Sequence, residues 1–382
     1  MSRQQTQNFL VMVTFGMAFF VWGFVTVLNS VMVEHVSRIF DVRYSVSTLI
    51  QLTFFSMYLL VAIPAGKMIK NWGYKLSMIV GMFTIALGCM LYYFAIYYEN
   101  YFFFLTSLAV QATGVTLLQV GANLFILFYG NKRNAAARLT LMQAFNALGA
   151  FLAPTYGAAW VQELWGVGPD VNASLIQYVH TPFILLSNVL YLITIALVFV
   201  NIPEFNTARL APQNAIYIPN RKLHAMHFKQ LRLGAFAIFA YLGAEVSLGN
   251  YLLSDAFSAT DWAQVYWGGF MLGRFVGAFI LLLTDIRKAL AAAAILASAF
   301  LLLSEITVGV TSITAIGMIG FFNAIMLPVI FYLGLKGLGR YSEQGASILV
   351  MFFVGAGIIP FNVVNFADPN AFGYKVALVI PL

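Results

Sequence analysis

The chain has 382 residues, 62% hydrophobic and 9% charged, with a formal net charge of +7. Soluble domains carry roughly 25% charged residues, so a water-soluble fold of this length could not hide so much apolar surface. A transmembrane barrel would alternate polar and apolar residues, whereas these apolar runs are long and continuous. The basic excess falls in short loops, which assigns it to positive-inside bias rather than to nucleic acid.

In chain order the apolar runs predict spans at about 9–34, 48–70, 74–97, 101–129, 138–163 and 179–202, then 230–256, 260–284, 287–304, 309–336, 343–366 and from 374 onward. The first run is too long for a signal-peptide core and is expected to stay as a span. The closing GYKVALVIPL is shorter than the about 20 residues a crossing needs, so the last span reads as truncated. The expected architecture is an all-α membrane protein of twelve spans. A six-helix bundle covers 1–203, a cytoplasmic central loop 204–229, and a second six-helix bundle, incomplete at its end, 230–382. Acids such as Glu99, Glu163, Asp170 and Glu305 fall in odd-numbered loops. Lys67, Lys70, Lys132, Arg133, Arg287 and Lys336 fall in even-numbered ones, and Arg38, Arg43 and Lys375 run against the pattern. Both termini are therefore expected in the cytoplasm.

No enzyme chemistry emerges. The single Cys89 excludes a disulfide within the chain, and no phosphate-binding loop motif is present. His224 and His227 stand three apart in a basic loop without an acidic ligand, so neither a metal nor a cofactor is expected.

Polar residues inside apolar runs are the candidates for function, because a charge at the bilayer centre costs about 2.5–3.5 kcal/mol on insertion scales. In FVWGFVTVLNSVM, Trp22, Thr26, Asn29 and Ser30 share one helical face. Glu245 stands mid-span with no cation near it in sequence, as a substrate acceptor or proton carrier; the plainer alternative is a protonated structural acid. Gln119 with Asn123, and Gln143 with Asn146, form two pairs on shared faces. Amides donate and accept without charge, which suits a polyhydroxy ligand; the alternative is bonding between helices. Tyr266 and Trp267 could pack on a sugar's C–H face. Arg274 is expected to end its span at the cytoplasmic face, paired with Asp285 or Glu343. Pro64, Pro154, Pro182, Pro328 and Pro360 each free a carbonyl and permit a kink.

The halves echo one another. LFILFYG, then basic residues and FNALGAFLAP, parallels LPVIFYLGLKGLGR followed by FFVGAGIIP. A tandem repeat of six spans is the layout of the major facilitator superfamily. Eight collinear blocks resemble the fucose–galactose–hexose:proton symporters of that superfamily: FVWGFVTVLNS, IPAGKMIKNWGYK, LLQVGANLF, RLTLMQAFNALGAFLAP, YLGAEVSLGNYLL, YWGGFMLGRFVGAF, FFNAIMLPVIFYLGLKGLG and GASILVMFFVGAGIIP. AEVSLG and LLQVGAN stand nearest the glucose/galactose branch.

The resemblance implies a hexose carrier of the inner membrane, acting by alternating access and coupled to protons. Asn29, Gln143 and Asn146 match family residues, and Glu245 matches the glutamate of the glucose/galactose branch. Gln119 is ordinary for that branch. Ser30 falls where the family has an aspartate, and a serine cannot carry a proton near neutral pH. Tyr332 stands where a small serine is expected. Coupling has then moved to Glu245, or has been lost, or the substrate has changed. The expected substrate set is Trp22, Asn29, Ser30, Gln119, Asn123, Gln143, Asn146, Glu245, Trp267 and Asn323, with Glu245 the proton-coupling candidate. The expected partners are a hexose, possible protons and the lipid bilayer, with a monomer sufficient. Two other readings stay open: an exporter of drugs, siderophores or another metabolite, and a transport-dead sensor or scaffold.

Overall fold

A computed structural model describes residues 3–40, 49–153, 156, 175–205, 207, 224–252 and 260–366. Among them there is no β-strand. Among the described residues, twelve α-helices follow in order. The first six are α1 (Arg3–Ile39), α2 (Leu49–Tyr97), α3 (Tyr101–Phe128), α4 (Ala135–Leu152), α5 (Leu175–Phe199) and α6 (Lys229–Leu252). The rest are α7 (Thr260–Leu283), α8 (Ile286–Ile306), α9 (Val310–Asn323), α10 (Met326–Leu335), α11 (Ser342–Met351) and α12 (Gly355–Phe366). Described helices fall within every expected span up to residue 366; parts of 138–163 and 230–256, and the whole expected span from 374, lie outside the described residues. Among the described residues, 8 helical stretches are long and apolar enough to cross a membrane. The chain is a multi-pass membrane protein.

Two compact units divide the chain. The first takes Met1–Ala122 and Leu148–Phe205, and the second takes Asn123–Ala147 and Asn206–Leu382. The break between units therefore falls inside α3 and α4 as well as after residue 205.

In the first unit α5 packs along α2. The core there is aromatic: the buried Tyr92 ring lies 4.9 Å from Phe104 and 4.7 Å from Phe183. Large apolar side chains such as Leu60, Leu192 and Phe199 remain exposed, as the lipid-facing side of a membrane helix must. Helix α2 is two spans run together across Gly73, whose φ of 85° a side chain would resist. The turn is held from outside the helix. The backbone N–H groups of Tyr74 and Lys75 donate to the two carboxylate oxygens of Glu204, at 2.8 and 2.9 Å. A carboxylate on the free amides of a helix start satisfies donors that have no intrahelical partner.

Isolated hydroxyls follow the same rule of internal satisfaction. Thr84, Thr113, Thr140 and Ser247 each donate to the carbonyl four residues earlier. Their presence in an apolar run marks no polar path.

The second unit is built on α7, α8 and α9 packed side by side, with α6 against α10 and α12. The α9–α10 span is broken at Ala324 and Ile325, between two helices that together fill one expected crossing. Asp285 starts α8 by accepting from the Arg287 and Lys288 amides at 3.0 and 3.1 Å. These bonds, chiefly that from Lys288, hold its carboxyl below the ordinary carboxylate value. A depressed acid stabilises the fold above its ordinary value and loses that contribution as the pH falls through its folded value. Asp285→Asn is therefore expected to lower the thermal midpoint of purified protein near neutral pH. The gap to the unmodified chain should begin to close below pH 3.8.

Candidate functional site

Most of the polar candidates that can be followed lie in the second unit. Glu245 is on α6, in a span, and only 7% exposed. One of its carboxylate oxygens, Oε2, has no hydrogen-bond partner. Tyr241, one turn earlier on the same helix, sets its hydroxyl against the Glu245 carboxyl. The same hydroxyl donates to the Asn323 carbonyl at 2.9 Å. From α7 the Tyr266 hydroxyl meets the Asn323 side chain. Asn323 is buried at the end of α9, beside the helix break.

Arg274 corrects the sequence-based expectation. It does not end its span at the membrane face, nor does it pair with Asp285 or Glu343. Asp285 caps α8, and Glu343 accepts a hydrogen bond from Thr207. Arg274 lies within α7 and is 4% exposed. Its Nη1 donates to the Gln143 carbonyl at 2.9 Å and its Nε to the Ala324 carbonyl at 3.3 Å. Its guanidinium stands 4.2 Å over the Phe270 ring. Glu245 lies close enough to Arg274 for the two side chains to interact electrostatically.

The geometry follows from Pro328. A helix running through the break would bond the amide of residue 328 to the carbonyl of Ala324. Proline has no amide hydrogen, so that carbonyl is left over. Arg274 supplies the missing donor. Tyr241 donates to the Asn323 carbonyl, the next one back at the break.

Gln143 and Asn123 are both buried and bonded to each other, Nε2 to Oδ1 at 2.9 Å. This bond joins α3 to α4, and so links one member of each sequence pair to one of the other. Asn146 is half-buried one turn along α4. Trp267 is half-buried, edge-on to Tyr266 at 5.1 Å and to Phe270 at 5.7 Å. It packs against a small apolar cluster of Ala147, Phe270 and Ala324.

The first unit holds the other candidates. Trp22 is buried on α1 with its ring 5.0 Å from Phe19. Thr26 turns its hydroxyl back to the Trp22 carbonyl at 2.9 Å. Asn29 and Ser30 lie along α1, but their side chains fall outside the described residues. Gln119, on α3, is buried and hydrogen-bonded to Tyr58 of α2. Tyr332 is half-buried on α10.

Tyr58, Tyr241 and Arg274 were missed as site residues. The spacing Tyr241–Glu245 and Phe270–Arg274, each four apart, was the available signal.

A buried acid with an unused acceptor, amides and a tryptophan edge can bind and release a polar solute, and the apolar helices set them in a polytopic membrane protein. The chain belongs to the Major Facilitator Superfamily, whose profile matches residues 14–360. It is 37% identical over 391 residues to a glucose/galactose transporter of Brucella abortus, covering 100% of this chain and 92% of that one. A putative glucose/galactose transporter of Helicobacter pylori is 32% identical, covering 94% of this chain and 89% of that one. The crystal structure of the Escherichia coli fucose:proton symporter FucP superposes with a TM-score of 0.84 at 26% identity, covering 98% of this chain and 96% of that one.

The α7–α9 contact that carries Arg274 depends on Gly273. A Cβ there would fall 2.3 Å from the Phe321 carbonyl oxygen, whereas one at Gly269 would meet its nearest neighbour at 3.4 Å. Gly273→Ala is expected to destabilise the purified protein by about 1–3 kcal/mol. Gly269→Ala should leave the thermal midpoint nearly unchanged.

Proposed function

We propose that this chain is a secondary transporter of a hexose-type sugar. It works in the inner membrane, as a monomer with both termini cytoplasmic. It moves its substrate by alternating access, through rocking of the bundles 1–203 and 230–382 about the central loop 204–229. The observation that carries the reading is the unpartnered Glu245 Oε2, an acceptor held in a span beside Tyr241 and Arg274. A buried acceptor without a donor is costly, and a sugar hydroxyl is the donor that would relieve it. Trp267 offers a ring edge and face of the kind that packs on sugar C–H groups. Gln119, Asn123, Gln143, Asn146 and Asn323 offer uncharged donors and acceptors suited to hydroxyls. The relatives named for glucose, galactose and fucose transport support the same substrate class.

Asn29 and Ser30 continue the stripe begun by Trp22. With serine at position 30, Glu245 is the acid available for proton coupling.

Counterflow of labelled glucose, galactose and fucose in proteoliposomes tests this, since exchange needs binding and alternating access but no gradient. The chain should exchange at least one of the three. Glu245→Gln should weaken that exchange about tenfold, as expected when a hydrogen bond to a charged group is lost. Absence of exchange with all three, both for this sequence and for Ser30→Asp, would remove the hexose reading.

A further inference from the structure

The second unit contains a connected set of buried groups whose arrangement exceeds what sugar binding requires. It begins at Glu245, passes through Tyr241 and Arg274, and ends on the two carbonyls at the α9–α10 break, Asn323 and Ala324. Among the described residues, the titratable or charged groups that face Glu245 are Tyr241 on its own helix and Tyr266 and Arg274 on α7.

The chemistry of Tyr241 makes this set directional. Its hydroxyl has one proton to donate and lone pairs to accept. When Glu245 is protonated, its O–H donates to the Tyr241 oxygen, and Tyr241 donates to the Asn323 carbonyl. The Tyr241 oxygen and the Asn323 carbonyl then each have a donor, and the bond to Asn323 is the one seen, while Glu245 Oε2 stays open. When Glu245 gives up its proton, the carboxylate is only an acceptor. Tyr241 must turn its single proton toward it, and the Asn323 carbonyl loses its donor. The new charge also attracts Arg274 toward Oε2, away from the Ala324 carbonyl that Pro328 leaves unpaired. Both carbonyls of the break are therefore released together, in a span where no water replaces the lost donors. A segment deprived of two such bonds has reason to repack.

We propose that Tyr241 and Arg274 are positioning residues that transmit the protonation state of Glu245 to the Asn323–Pro328 break, making that break the moving element that couples a proton to transport. The proposal rests on the reading of Glu245 as the proton-coupling acid. It adds the two side chains that turn its charge into a shape change.

The test uses the full chain in proteoliposomes, with Tyr241→Phe, Arg274→Lys and Glu245→Gln. Tyr241→Phe removes one hydroxyl, and Arg274→Lys keeps the charge but not the planar fork. Labelled glucose and galactose are measured both as gradient-driven accumulation across a pH series and as counterflow. The expected result is that Tyr241→Phe and Arg274→Lys each lower the ratio of accumulation to counterflow about tenfold. Each should also flatten the pH profile of uptake, as Glu245→Gln does. A merely structural role would lower both activities together and leave the pH profile in place. Should Arg274→Lys fail to fold, Tyr241→Phe alone decides. If both variants keep the unmodified ratio and profile while Glu245→Gln loses them, the relay is overturned and the Glu245 reading stands. If Glu245→Gln itself keeps them, the reading beneath the relay is overturned as well.

Discussion

Inside a hydrocarbon layer every backbone carbonyl needs a donor from the protein, because no water is there to supply one. Pro328 violates that rule locally by withholding an amide from Ala324. The second unit is organised around the repair. Arg274 comes from α7 to cap the Ala324 carbonyl, and Tyr241 comes from α6 to cap that of Asn323. Gly273 lets α7 come close enough for the repair to be made. A buried guanidinium and a buried tyrosine are thereby fixed beside Glu245, so a carboxylate is held where it could not otherwise be held cheaply. The backbone defect, the cation and the acid are one arrangement, and any change in the acid's charge is felt at the defect.

The loops obey the same economy at the membrane surface. Helix starts are closed by carboxylates: Glu204, from far along the chain, on the turn at Gly73, and Asp285, as its own N-cap, on α8. In the central loop, His224 and His227 are bonded to each other through the His224 amide and the His227 ring, and His224 also bonds Gln344 of α11. The two histidines serve as local turn chemistry.

Much of the fold was legible in the sequence, because span length and apolar continuity are strong signals that depend on the bilayer and not on neighbours. The break at Ala324 was less legible. Pro328 announced a freed carbonyl, but nothing along the chain said which side chain would answer it. Arg274 was misread for that reason. Its charge argued for the membrane face, and only packing of α7 against α9 reveals carbonyls within its reach. The amide pairs show a similar limit. Periodicity placed Gln119 with Asn123 and Gln143 with Asn146 on shared faces, but could not say that Gln143 would bond Asn123 across two helices. Glu245 was legible because an unpaired acid in an apolar run is costly anywhere.

In the proposed function, the free oxygen of Glu245 is where the sugar binds. Infrared difference spectroscopy of the purified protein, with and without glucose or galactose, addresses it most directly. Sugar binding should perturb a carboxyl band in the unmodified chain, and that perturbation should vanish in Glu245→Gln. A sugar-induced spectrum that keeps the same carboxyl feature in both proteins would contradict the account, because the substrate would then be bound without touching the acid around which the unit is built.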